Sequence, residues 1–133
     1  MATQKVKLGN VPKNFKKPVE IVTLDGSVAA IEISYIYRTR SQFAALVDEG
    51  IADGVAKSVT DPAEPVAERT TADWYRRVDE GGVDLVLKVA DGWDLDNPFN
   101  EKSLLQLEDE NPGSLQAIAT IYRQAVAEAR VKN

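Results

Sequence analysis

Apolar and polar positions alternate with a period of two over residues 19–37 and recur every three to four residues from about residue 41 onward. A β-hairpin followed by helices is the simplest reading of that change of period. Residues 19–24 and 27–37 are dense in β-branched and aromatic side chains, and Asp25-Gly26 between them is a strong turn signal. A two-residue Asp25-Gly26 loop sets Glu20 opposite Ile31 and splits the apolar residues between the two faces. A three-residue Asp25-Gly26-Ser27 loop pairs Val19 with Ile33, Ile21 with Ile31 and Thr23 with Ala29 on one face, so the longer loop or a bulge is favoured. Tyr35 and Tyr37 continue that face. Residues 1–17 are polar, lysine-rich and interrupted by Pro12, with Pro18 directly after them, which suits a mobile arm or an edge strand. Residues 18–133 are expected to form one domain.

The helical part divides at its breakers. A first helix, about 41–54, follows Thr39 or Ser41 as cap and carries the stripe Phe43, Leu46, Val47, Gly50, Ile51, with Gly54 near its end. A second, about 62–93, has Asp61 as cap, Pro62 at the first helical position and Glu64 three residues after the cap. Its expected inner face is Trp74, Val78, Leu85, Val86, Val89 and Trp93. Gly81-Gly82 weakens it and predicts a break or kink. Residues 83–89 also alternate as a strand would; helix is preferred because Lys88 and Ala90 favour it and no turn precedes Trp93. Asn97-Pro98 ends that element, Asn100 caps a short helix of about 101–108, and Ser114 caps a last one of about 114–131. The last stripe, Leu115, Ile118, Ala119, Tyr122, Ala125, Val126, Ala129, is nearly a heptad seam. The fold class is therefore α+β: an N-terminal hairpin or small antiparallel sheet, then a mainly helical part.

Composition narrows the chemistry. The 133 residues contain no cysteine and no histidine, which removes disulfides, Cys/His zinc sites, thiol nucleophiles and histidine general bases from this chain. The net charge of −5 argues against nucleic acid as the main partner. Charge is uneven: residues 1–40 hold seven Lys/Arg against three Asp/Glu, and residues 41–133 nine against eighteen. No stretch has the apolar length of a membrane span, and the first residues lack the apolar core of a secretory signal, so a cytoplasmic protein is expected.

Asp91, Asp94 and Asp96 form the densest oxygen-rich segment and the best place to seek a metal. Counted from Asp94, however, an EF-hand loop would put Pro98 fifth, Phe99 where glycine belongs and Leu105 twelfth. Helix capping by Asp94 or Asp96 is the stronger role. Neither a phosphate-binding glycine pattern nor a convincing acid–base pair stands out, so no catalytic, cofactor or metal residue is assigned and no cofactor is expected. Trp93, Leu95 and Phe99 put large apolar groups in an acidic turn. They suit either core closure or a partner-facing patch with an acidic rim. Ile121 lies off the final stripe and is free for a second contact, while Tyr122 is expected to pack against Trp93. The partner-binding candidates are thus Trp93, Leu95, Phe99, Ile121 and Tyr122.

The carboxyl-terminal third resembles the tail assembly chaperones of long, non-contractile-tailed phages and prophages. The similarity is carried by residues 89–96 (Val-Ala-Asp-Gly-Trp-Asp-Leu-Asp), Phe99-Asn100-Glu101, Asn111-Pro112-Gly113, Ile118 with Tyr122-Arg123, and the closing Lys132-Asn133. Arg38 to Ala44 also resembles the segment after that family's first strands. The resemblance implies a non-enzymatic helper in the host bacterial cytoplasm. Such a helper binds the tape measure protein, keeps its helices from aggregating, helps the tail tube protein polymerise around it, and is absent from the virion. It is compatible with a longer frameshifted product beside this form. Many weak sites multiplied by self-association would coat a long client, so a homo-oligomer is expected. The rival readings are a structural tail-completion or head–tail joining protein and a carboxylate-metal enzyme using Asp91, Asp94 and Asp96.

Overall fold

The structure, a computed structural model, describes residues 8, 9, 11–60 and 70–128, the side chains of 51–60 excepted. The elements run β1 (Asn14–Val22), β2 (Val28–Ile36), α1 (Arg40–Thr60), α2 (Thr71–Val89), β3 (Ala90–Trp93), α3 (Glu101–Glu110) and α4 (Ser114–Val126). The strands form one antiparallel sheet in the order β1-β2-β3. The fold is α+β.

The hairpin loop has the expected three residues but lies one position earlier, at Leu24-Asp25-Gly26. Thr23 N–H donates to Ser27 O (2.8 Å) and Gly26 N–H to Thr23 O (3.0 Å). Val19 therefore pairs with Ile31 and Ile21 with Ala29, not with Ile33 and Ile31 as the sequence suggests. The slip equals one full strand period, so every side chain keeps its face. Chemistry within the loop fixes its position. Gly26 takes the left-handed conformation (φ +87°) that closes the turn. Asp25 Oδ1 accepts from Ser27 N–H (3.0 Å), Ser27 Oγ (2.6 Å) and Thr23 Oγ1 (2.5 Å). These bonds, from Ser27 first and Thr23 second, hold the fully exposed Asp25 carboxyl down at about 2.

β1 starts at Asn14, so residues 14–17 of the polar arm are edge strand. Thr23 and Lys13 bond directly to Ser27 and Tyr37, so the odd residues of β1 face β2 with their backbone polar groups. The even residues present theirs to the open edge, and Pro18 is one of them. Its missing N–H costs the ladder nothing and leaves a gap in the free edge, a usual guard against stray strand pairing.

One face of the sheet is covered and one is bare. Val19, Ile21, Ile31, Ile33 and Tyr35 are buried, whereas Lys16, Pro18, Glu20, Val22, Val28, Ala30 and Glu32 are exposed. The covering layer supplies Val83, Val86 and Val89 from α2, Leu104 from α3, and Leu115, Ile118 and Tyr122 from α4. Two tyrosines tie the layers reciprocally. Tyr35 OH on β2 donates to Ile118 O on α4, and Tyr122 OH on α4 donates to Ile36 O on β2, each at 2.8 Å. Phe15, Tyr35 and Phe43 surround the Tyr122 ring with centroids 5.4–6.1 Å away. Burial pushes ionisation of the Tyr35 hydroxyl well above the usual tyrosine range.

The second helix departs most from expectation. α2 runs unbroken through Gly81-Gly82 and stops at Val89; residues 90–93 are strand rather than helix. β3 supplies the second partner that β2 needs, setting Ile33 against Trp93, Ser34 against Gly92 and Tyr35 against Ala90. Gly82 allows close packing, since a Cβ there would sit 3.2 Å from Leu115 Cδ1. The helix starts at Thr71 behind a Thr70–Asp73 capping box. The expected Asp61–Pro62–Glu64 start lies outside the described residues. Trp74 and Val78, placed in the core by periodicity, are 59% and 52% exposed.

Three caps also resolve. Thr39, not Ser41, caps α1 reciprocally with Gln42, and that helix passes Gly54 to reach Thr60. Asn100 caps α3 through Ser103 N–H (2.9 Å) as expected, although α3 continues to Glu110. Ser114 is not the cap of α4. Gly113 precedes the helix at φ +96°, and the Glu108 carboxylate of α3 accepts from Gly113 N–H and Leu115 N–H, both at 2.9 Å. α4 ends at Val126, short of the expected 131, with Ala127 and Glu128 already out of the helix; residues 129–131 lie outside the described residues.

Candidate functional site

α4 turns Leu115, Ile118, Tyr122 and Ala125 into the core. That leaves Ala117, Ile121 and Gln124, spaced i, i+4, i+7, on the flank facing the free edge strand β1. Gly113 and Ala117 put little side-chain volume between this flank of the helix and Pro18–Glu20 of the strand. The result is an open groove of about 520 Å³ with Val19, Ala117 and Ile121 as apolar lining and Glu20, Gln116, Thr120 and Gln124 as polar lining. Pro18 forms part of the strand-side wall. Apolar surface with amide and hydroxyl groups at its margin suits binding of a polypeptide segment.

The five predicted partner residues do not form one patch. Trp93 and Phe99 meet edge to face, centroids 5.2 Å apart, and Trp93 Nε1 donates to Asn97 O (2.7 Å). Both are half-buried against the core, and Leu95, between them in sequence, is 37% exposed. That corner lies at the β3 edge of the sheet, opposite the β1 edge where Ile121 lines the groove. Tyr122 is fully buried, and its ring contacts are Phe15, Tyr35 and Phe43 rather than Trp93. It is a core residue and presents no surface to a partner.

Two aspartates of the acidic turn, Asp91 and Asp94, have structural occupations. Asp91 Oδ2 accepts from Asn14 Nδ2 (2.5 Å). Asp94 extends the β2–β3 ladder: its N–H donates to Glu32 O (3.2 Å), and its Oδ1 accepts from Glu32 N–H (3.0 Å). It thus ends a strand instead of capping a helix. Among the described residues no group of three or more metal-ligating side chains is gathered in one place.

A second surface was not singled out from sequence. Trp74, Tyr75 and Val78 stand 59%, 57% and 52% exposed on the first turns of α2, the two rings 5.2 Å apart. The signal available was length. A 19-residue helix outruns partners of 10 and 13 residues, and only its second half carries buried side chains. Asp79 is on the same stretch, and its carboxyl is raised by burial first, then by Glu108 and Asp109.

Groove and strip are two separate surfaces, one an open cleft and the other an exposed helical turn bearing two aromatic rings. The chain belongs to the phage tail assembly chaperone family, whose model matches residues 1–133, the whole chain. Membership supports a chaperone role in tail assembly. No curated protein and no solved structure gives a match. No helix among the described residues is long and apolar enough to cross a membrane.

Proposed function

We propose that this protein binds the tape measure protein in the host bacterial cytoplasm, keeps its helical segments soluble, and promotes assembly of tail tube protein around it. It does so without catalysis and leaves before the virion is complete. The observation that carries this reading is the open groove between β1 and α4 in a chain matched along its whole length by a tail assembly chaperone model. Ile121 anchors client side chains there, and the exposed Leu95 corner offers a weaker contact at the opposite sheet edge. Trp93 and Phe99, half-buried and packed edge to face, are the rigid part of that corner. Each contact is small, and self-association multiplies them along a long client.

Co-expression with the tape measure protein tests this. The wild-type chain should carry the client into the soluble fraction, whereas Ile121→Ser, checked for folding by circular dichroism, should carry markedly less. A client that is equally insoluble with and without the wild-type chain contradicts the proposal.

A further inference from the structure

We propose that Asp25-Gly26 is a latent site of spontaneous backbone isomerisation, held shut by the hydrogen bonds of its own hairpin turn.

Aspartate followed by glycine is especially open to this reaction, because glycine puts no Cβ in the way of its own nitrogen. The Gly26 amide gives up its proton and its nitrogen attacks Asp25 Cγ. The N–Cγ bond forms and the Cγ–OH bond of the protonated carboxyl breaks. That hydroxyl and the amide proton leave as one water, and a five-membered succinimide remains. Water then opens the ring at either carbonyl. Addition at Cγ restores aspartate, whereas addition at the Asp25 main-chain carbonyl leaves isoaspartate, with the main chain running through Cβ and Cγ. The turn is then one backbone atom longer, which disturbs the register that the loop sets.

Nothing covers this site. Asp25 is fully exposed, and a Cβ at Gly26 would meet no atom within 4 Å. Protection therefore falls to two sets of bonds. Attack uses the in-plane lone pair that the departing proton leaves on the Gly26 nitrogen, so the N–H direction must swing onto Asp25 Cγ. In the turn that N–H points instead at Thr23 O (3.0 Å), with Gly26 at φ +87°. The electrophile is tied as well: Asp25 Oδ1 accepts from Thr23 Oγ1 (2.5 Å), Ser27 Oγ (2.6 Å) and Ser27 N–H (3.0 Å). These donors, Ser27 first and Thr23 second, favour the carboxylate over the protonated carboxyl that the reaction consumes. Bringing the nitrogen to Cγ would break both sets.

The chain has two other Asp-Gly pairs, Asp53-Gly54 and Asp91-Gly92. Each falls inside a regular element, the first in α1 and the second in β3, where Gly92 pairs with Ser34. Asp25-Gly26 is the pair that sits in a turn and depends on local side chains.

The test holds the full chain and a peptide spanning residues 22–28 at neutral pH for weeks. Site-resolved mass spectrometry then measures isoaspartate at residue 25 apart from residues 53 and 91. The chain should react at least about ten-fold more slowly than the peptide, the factor that one pKa unit of lost protonation alone supplies. Thr23→Val with Ser27→Ala removes both hydroxyl donors and should speed the reaction several-fold, at an unchanged circular dichroism spectrum. Ser27→Ala alone should fall between, and it decides the matter if the double variant unfolds. In unfolding guanidinium chloride the wild-type chain should reach the peptide's rate. Equal rates in the folded chain and the peptide would overturn the proposal. So would a folded variant that isomerises no faster than wild type.

Discussion

Replacing Glu108 with alanine should destabilise the protein by about 1–2 kcal/mol, although residue 108 belongs to a different helix from the one it supports. Its two carboxylate oxygens accept the N–H groups of Gly113 and Leu115 at 2.9 Å, and the Leu115 bond is partly buried. α4 has no side-chain cap of its own. Loss of an N-cap typically costs about 0.5–2 kcal/mol, and an anion at a helix N-terminus contributes about 0.3–1 kcal/mol more. Relief of repulsion against Asp79 offsets part of this, which brings the net to the stated range. With an m-value of about 2 kcal/mol/M, the middle of the range for small proteins, the urea midpoint should fall by roughly 0.5–1 M at unchanged slope. Glu108→Gln should fall between, since the amide oxygen replaces one acceptor but not the charge. Ser114→Ala should cost less than Glu108→Ala, because Ser114 Oγ only donates to Asn111 O (2.6 Å). A Glu108→Ala midpoint equal to wild type, or a Ser114→Ala loss larger than that of Glu108→Ala, would refute the cross-helix cap.

Three other perturbations follow from the same geometry. Tyr122→Phe should cost about 1–2 kcal/mol in urea melts by leaving Ile36 O without its donor, and Tyr122→Ala about 3–5 kcal/mol by emptying the aromatic cluster. Asp79→Asn should stabilise the protein at neutral pH: a carboxyl raised in the folded state penalises folding when ionised, and the penalty fades as pH falls through its folded-state titration. Melting temperature plotted against pH should thus show the variant's advantage at pH 7 shrinking in acid, and an advantage that grows in acid would contradict the assignment. Gly81→Ala, with open space around it, should gain about 0.5–1 kcal/mol from helix propensity, whereas Gly82→Val should destabilise through contact with Leu115.

Which parts of this were legible in the sequence depended on whether the deciding interaction was local. The hairpin, its inward face, the Thr39 and Asn100 caps and the inner stripe of α4 follow from period and cap chemistry within a few residues. The loop position needed the Asp25 bonds to Thr23 and Ser27, which shift the register by one strand period and leave the faces intact. Residues 83–89 are helix as preferred, but β3 was missed because no turn signal separates Val89 from Trp93; the decision lay with the unpaired edge of β2, far away in sequence. Glu108 capping α4 is likewise a contact between helices, invisible while Ser114 sat in the expected place. Of the groove lining, Ile121 was singled out in sequence because it lies off the core stripe. Trp74 was assigned to the core because an apolar stripe does not announce that the helices covering it stop halfway.

The central claim is that the chain serves tail assembly as a transient binder of the tape measure protein. Quantitative mass spectrometry of assembling lysates and purified particles tests it most directly. The account predicts that the chain co-purifies with tape measure protein from lysates and is missing from finished particles. Stoichiometric presence in purified virions, or its absence from tape measure complexes in lysates, would contradict it.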